Sequence, residues 1–211
     1  MAKIIAICGP DGAGKTTLST ELKKEGFHRE YGGKKQNHSL FITQYFIKVH
    51  DLIKRKKMDR LGFLYLNIVF YPLEYIEHRL RLRKALDSRR KGYDVVFDRF
   101  VVDRMWRFKL DEGPNKFAEY IKWFFYRFYY TIYMNWFPRI DAYVFLLPPT
   151  DELLKRQPSD YSTTNESENI RSAYKSIADE LEDDGENILV IDSNLDVNEN
   201  KSTVMKWFNN L

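Results

Sequence analysis

The chain has 211 residues, 44% hydrophobic and 30% charged, the make-up of a globular domain rather than of a disordered tail. Lys plus Arg exceed Asp plus Glu by 34 to 30, a net charge of +4, which suits a phosphate-bearing ligand but is too weak to argue for a nucleic-acid surface. The single cysteine, Cys8, excludes an internal disulfide framework and the common structural zinc modules, and fits a reducing, cytoplasmic setting.

Ile4 to Cys8 is an apolar run with no polar alternation, the pattern of a strand covered on both faces. Gly9-Pro10-Asp11-Gly12 cuts it short, before it reaches the length of a signal-peptide apolar stretch. A helix is expected from the loop at Gly14 through Lys24, with Leu18 and Leu22 on one face and Gly26 as its stop. Lys54-Arg55-Lys56-Lys57 reads as a solvated basic helix end. Pro72 suits the first turn of a second helix running to Lys91, with an apolar stripe of Leu73, Ile76, Leu80 and Leu86. Gly92 ends it, and Arg83, Lys84, Arg89, Arg90 and Lys91 in its last turns complement its dipole. Arg79, Arg81, Arg83 and Lys84 on the same helix do not share one face, so they read as solvated charges rather than a binding stripe.

Asp94 to Phe97 is the second apolar strand. Asn115 to Phe137 is a long helix that is aromatic nearly all round, the pattern of deep burial or of association. Arg127, Pro138, Arg139 and Asp141 break the greasiest stretch, Trp123 to Leu147, so no membrane span is expected. Ala142 to Leu147 is the third strand, closed by Pro148-Pro149, after which Thr150 or Asp151 caps a short helix through Arg156. Gln157 to Glu168 has the composition of a mobile surface loop, Ile170 to Leu181 is helical again, and Asn187 to Ile191 is the fourth strand. Strands alternating with helices, and no linker, make this one α/β domain over 1–211. The four histidines, His28, His38, His50 and His78, have no metal-ligand spacing.

The sharpest signal is Gly9-Pro10-Asp11-Gly12-Ala13-Gly14-Lys15-Thr16, which satisfies G-x-x-x-x-G-K-[ST] between a strand and a helix. Glycines let successive amides turn inward onto phosphate oxygens, and the following helix presents its positive end to the same anion. Gly9, Asp11, Gly12, Ala13, Gly14, Lys15, Thr16 and Thr17 are therefore the expected ATP site, with Lys15 on the β- and γ-phosphates and Thr16 on Mg²⁺. This loop defines a three-layer α/β fold of the P-loop NTPase type, with a central parallel sheet of about five strands. Asp98 and Arg99 end the second predicted strand, where ligands of an open parallel sheet bind. Asp98 can hold Mg²⁺ through water or accept a proton, and Arg99 can grip an anionic acceptor. Lys155, Arg156 and Arg171 flank the polar loop, and Arg156 and Arg171 are the expected cations that close over the transferring phosphate as a lid around 155–171.

The chain resembles the thymidylate kinases. The loop Gly9 to Thr17 is similar to theirs, and Asp98-Arg99-Phe100 resembles their Asp-Arg-Tyr/His element. Weaker matches are Phe70 to Gly92, Leu146-Leu147-Pro148-Pro149 with Leu153 to Arg156, Ile170 to Tyr174, and Val190-Ile191-Asp192. The acceptor side departs from the family. Arg29-Glu30-Tyr31-Gly32-Gly33 lacks the proline of the family's Arg-Glu-Pro-Gly-Gly, Pro72 to Tyr75 lacks the arginine of Ala-Asp-Arg, and Val101-Val102-Asp103-Arg104 replaces the usual serines. The resemblance implies a Mg-ATP-dependent nucleotide kinase whose acceptor is a small phosphorylated molecule, a nucleoside monophosphate. A retargeted kinase for a nucleoside, sugar or modified base stays open, as does a nucleotide-binding interaction module. Members of that family are usually homodimers, and the aromatic helix allows such pairing.

Overall fold

The computed structural model describes residues 1–31, 48–49, 65, 68–69, 71–109, 116–156, 163–192 and 196–211. Five strands form one sheet: β1 (Ile4–Cys8), β2 (His28–Tyr31), β3 (Val95–Asp98), β4 (Ala142–Leu146) and β5 (Ile188–Ile191). The order is β2-β3-β1-β4-β5 and every neighbouring pair is parallel. The described helices are α1 (Lys15–Lys24), α2 (Tyr71–Arg90), α3 (Trp106–Lys109), α4 (Lys116–Trp136), α5 (Thr150–Arg156), α6 (Thr164–Asp183) and α7 (Val197–Asn209).

The central strands are apolar at every position but Asp98, the last residue of β3, because both sheet faces are covered. Ile4, Ala6 and Cys8 point into a larger core with Phe97, Tyr143 and Phe145, roofed by Tyr75 and Leu82 of α2, Tyr129 and Tyr133 of α4, and Ile177 of α6. Ile5 and Ile7 point the other way, onto Leu18 and Leu22 of α1 and Val204 and Phe208 of α7. Helix, sheet and helix are the expected three layers. Below the sheet, Phe27 packs on Phe208 with ring centroids 4.9 Å apart.

Helix α6 is pinned near its C-terminus. Glu180 accepts a hydrogen bond from the Tyr126 hydroxyl and pairs with Lys109 at 2.8 Å, and Asp184 accepts one from Tyr130. Burial first, then these carboxylates, push the Tyr126 and Tyr130 hydroxyls well above the usual phenol range, so both stay donors. At the other end of α6, Thr163 caps the helix by accepting from the Glu166 amide at 3.1 Å.

Several sequence expectations need correction. The fifth strand is His28–Tyr31, whose four polar-leaning residues pair only with β3 at the sheet edge. The buried stripe of α2 is Tyr75, His78, Leu82 and Ala85; Leu73, Leu80 and Leu86 are half-buried and Ile76 is exposed. Arg81 is not a solvated charge but is 6% exposed, whereas Arg79, Arg83 and Lys84 do face solvent. Both shifts have one cause: α2 turns Glu77, His78 and Arg81 toward the carboxyl ends of the strands. The polar segment 157–168 is not all loop, since Thr164 to Glu168 are helical behind the Thr163 cap. The aromatic helix divides, with Tyr126, Tyr129, Tyr130 and Tyr133 buried and Tyr120, Trp123, Phe124 and Phe128 exposed. No described helix is long and apolar enough to cross a membrane. Lys54 to Lys57, His38, His50, Gly32, Gly33, Phe70 and 157–162 lie outside the described residues.

Candidate active site

The site forms where β1, β2 and β3 end. Chain leaving β1 passes at once against β4: a Cβ on Gly9 would stand 2.3 Å from the Leu146 carbonyl oxygen, and Gly9 has φ +142°. Only glycine fits there. The loop then turns through Gly14, at φ +91°, into α1. That helix has no side-chain cap and no acidic residue in its first turn, so its amides and the positive end of its dipole are left for an anion.

Lys15 is buried and folds back over the loop, its Nζ donating to the Gly9 carbonyl at 2.6 Å and the Pro10 carbonyl at 2.5 Å. Burial, then the neighbouring Arg99 charge, bring its pKa down to about 8, against the pull of Asp103, Asp11 and Asp98. Asp11, Thr16 and Thr17 are exposed, and Gly12 and Ala13 complete the curl, with the Ala13 amide donating to the Pro10 carbonyl at 3.2 Å.

Facing the loop, Asp98 at the end of β3 is fully buried. Its Oδ2 accepts a hydrogen bond from Arg29 of β2, and its Oδ1 has no hydrogen-bond partner among the described residues. The next residue, Arg99, holds φ +69°, a left-handed backbone that costs a non-glycine residue about 1–3 kcal/mol and collects at functional sites. Its guanidinium pairs with Asp11 of the loop, and that carboxylate holds it well above its ordinary pKa despite burial. Arg81 reaches in from α2, donating to the Tyr31 carbonyl at 2.6 Å and lying 3.7 Å from Glu77. One of its nitrogens, Nη2, and Nε of Arg29 make no hydrogen bond among the described residues. His78 stands edge-on to Phe100, centroids 6.2 Å apart. The histidine is buried with the α2 stripe.

Asp103 sits behind the loop, 5% exposed, in the short 3-10 turn Val101–Arg104. Its Oδ1 accepts from the Gly9 amide at 3.1 Å and the Tyr174 hydroxyl at 3.2 Å, and its Oδ2 from the Phe100 amide at 2.8 Å. Burial, then Asp103, push the Cys8 thiol well up, which keeps it an inert core residue.

On the outer side of the loop, Gly12, Ala13, Gly14, Thr17, Leu18 and Arg156 line a cavity of ≈ 480 Å³, closed by Asp196, Val197 and Asn200 of α7 and its cap. Lys15, Asp98, Arg99 and the loop residues thus come together at the carboxyl ends of the strands. Arg156 stands at the outer cavity, its Nε 3.6 Å from Glu152, and Arg171 lies beside β4, donating to the Leu147 carbonyl at 3.4 Å. Arg29, Glu77, Arg81 and Asp103 also gather at these strand ends, and none of them was among the expected site residues. Arg81 follows His78 by one helical turn, and Asp103 is an acid at the third position of a turn; both were available signals.

A parallel five-strand sheet, a Gly-rich loop on its central strand and helices on both faces make an α/β fold of the P-loop type, the fold shared by two solved kinase structures. Among solved structures the chain is similar to deoxyadenosine kinase from M. mycoides with bound dATP, at 20% identity and a TM-score of 0.62, covering 98% of this chain and 99% of that one. It is likewise similar to thymidylate kinase from Candida albicans, at 16% identity and a TM-score of 0.66, covering 99% and 92%. No family model and no curated protein matches the sequence.

Proposed function

We propose that the chain is a Mg-ATP-dependent phosphotransferase that moves the γ-phosphoryl group of ATP onto a phosphorylated acceptor, a nucleoside monophosphate. The observation that carries this reading is the pairing of two half-sites across one gap: a loop with a buried Lys15, and a cluster of buried Asp98 and Arg81 with half-buried Arg29, whose polar atoms in part lack hydrogen bonds among the described residues. The first suits a donor triphosphate and the second an anionic acceptor.

The residues present fit Mg²⁺. The Thr16 side chain is exposed beside the loop, Asp98 Oδ1 is buried and without a hydrogen-bond partner among the described residues, and no cluster of three His, Cys, Asp or Glu exists among those residues. One or two protein ligands are what Mg²⁺ takes when substrate phosphates supply the rest. Thr16 would hold it directly and Asp98 through water; bound there, it neutralises charge on the phosphate oxygens. The other steps belong to the chain. Loop amides and the α1 N-terminus cradle the donor phosphates. Lys15 exchanges its two carbonyl partners for phosphate oxygens. Arg29 and Arg81 hold the acceptor phosphate, and Arg99 lies between the two half-sites, on Asp11. The acceptor oxygen, already an anion, attacks phosphorus while the bond to the ADP oxygen breaks, so no general base is required. The cavity beside Arg156, Asp196 and Asn200 receives the ATP base and ribose.

A nucleoside acceptor is the second reading, supported by the likeness to a deoxyadenosine kinase. Asp98 would then take the hydroxyl proton at Oδ1. The buried Arg81 and the half-buried Arg29 favour the phosphorylated acceptor, because a neutral hydroxyl has no use for them. The exposed ridge Tyr120, Trp123, Phe124 and Phe128 supports self-association through α4. The test is ADP release from Mg-ATP with thymidylate, the other nucleoside monophosphates and the free nucleosides, and Lys15→Ala as the blank. Stimulation by a monophosphate is the expected result. Stimulation by nucleosides alone moves the assignment to the second reading, and stimulation by neither class refutes both.

A further inference from the structure

Asp103 has no part in that chemistry, yet both of its oxygens are engaged behind the site. Its two oxygens do different jobs. Oδ1 holds the first amide of the phosphate loop, at Gly9. Oδ2 holds the amide of Phe100, which follows the Asp98-Arg99 pair. The donor side and the acceptor side of the gap are thus tied to one side chain at 3.1 and 2.8 Å. A third tie comes from outside the sheet: the Tyr174 hydroxyl of α6 reaches Oδ1 at 3.2 Å and the Asp103 carbonyl at 3.5 Å. Tyr174 is 2% exposed and its ring stacks on Trp106, centroids 6.1 Å apart, so the hydroxyl has little freedom to look elsewhere.

We propose that Asp103 is a positioning residue: it fixes the spacing between the phosphate loop and the Asp98-Arg99 turn, and it couples that spacing to helix α6 through Tyr174. Hydrogen bonds to a carboxylate are about twice as strong as neutral ones, and a buried network of this kind holds only while every member is satisfied. An amide side chain cannot replace it, because asparagine has one acceptor oxygen and its NH₂ would confront an N–H. Helix α6 is continuous from Thr164 to Asp183, so Tyr174 links the segment next to the polar stretch 157–162 with the back of the loop. A displacement of α6 is therefore felt at Gly9, the residue whose carbonyl also holds Lys15.

The kinetic arm of the test rests on the phosphotransferase reading; the spectroscopic arm does not. In the full chain, Tyr174→Phe removes one hydroxyl and keeps the ring and its stack. The expected result is a shift of the Gly9 amide resonance in an ¹⁵N-labelled sample, and a several-fold fall in kcat with the ATP dissociation constant nearly unchanged. Asp103→Asn should lower kcat by roughly one to two orders of magnitude, the cost of misplacing reacting groups by about 1 Å. The double variant should be no worse than Asp103→Asn alone, because Tyr174 acts through Asp103. The proposal is overturned if Tyr174→Phe leaves the Gly9 amide in place, if the two substitutions add in full, or if Asp103→Asn lowers the melting temperature without changing kcat per folded molecule. Should Asp103→Asn fail to fold, the Gly9 amide in Tyr174→Phe decides. If the native chain phosphorylates no acceptor while that amide still moves, the coupling stands and the functional reading falls.

Discussion

Replacing Gly9 by alanine should be the most damaging single methyl group in the loop. The new Cβ would lie 2.3 Å from the Leu146 carbonyl oxygen and 3.3 Å from its carbon. Those are backbone atoms of β4, and neither strand can retreat: Cys8 is in register with Phe145, and Leu146 with Ile191. Overpacking of this kind costs about 1–3 kcal/mol. The φ of +142° adds roughly 1–2 kcal/mol for a residue carrying a Cβ. The sum is about 2–5 kcal/mol, or a fall in melting temperature of about 4–20 °C for a domain of this size. Gly14→Ala is the control. It has φ +91° but no described atom within 4 Å of the new Cβ, so only the backbone part, about 1–2 kcal/mol, applies. Urea unfolding followed by tryptophan fluorescence would compare the two midpoints. If Gly9→Ala proves as stable as Gly14→Ala, the close approach of the loop to β4 is wrong, and with it the reason given for glycine at that position.

Arg29→Ala should cost about 3 kcal/mol by leaving Asp98 charged and buried without its cation, and adding Asp98→Asn should recover part of that loss in the same urea assay. A cost below about 1 kcal/mol, within the range of a surface pair, would mean that the two do not form the buried pair. Thr163→Ala should lower stability by about 1 kcal/mol and Thr163→Ser by far less, because serine keeps the oxygen that caps α6. Equal losses in both would show that the cap contributes nothing.

The loop half of the proposed site was legible because its chemistry is local: a strand, a Gly-rich turn and a helix follow one another from Ile4 to Lys24. The other half of the proposed site, with Arg29, Arg81 and Asp98, is assembled from β2, α2 and β3, which lie far apart in the chain. His28 to Tyr31 carries no apolar alternation, since an edge strand of four residues needs only the ladder to β3. Arg81 looked like one of several scattered surface cations until the rotation of α2 was known. Its burial among Tyr75, His78 and Leu82 is a tertiary choice that periodicity misassigned by favouring Ile76. The start of α6 was readable in Thr163-Thr164-Asn165-Glu166, a capping signature that the surrounding Ser and Thr residues disguised as loop. Helix α7 was not anticipated, though Asp196 caps it through the Val197 amide at 2.8 Å.

Helix α6 also has a mechanical aspect. Were it to tilt about its fastenings at Glu180 and Asp184, Thr164 would be the far end of a lever about 24 Å long at 1.5 Å per residue. Tyr174 lies roughly 9 Å from those fastenings on the same scale. A tilt that swings the Thr164 end by a given distance therefore moves the Tyr174 hydroxyl by less than half as much. Such a tilt at Thr164 would reach the back of the loop at Gly9 geared down.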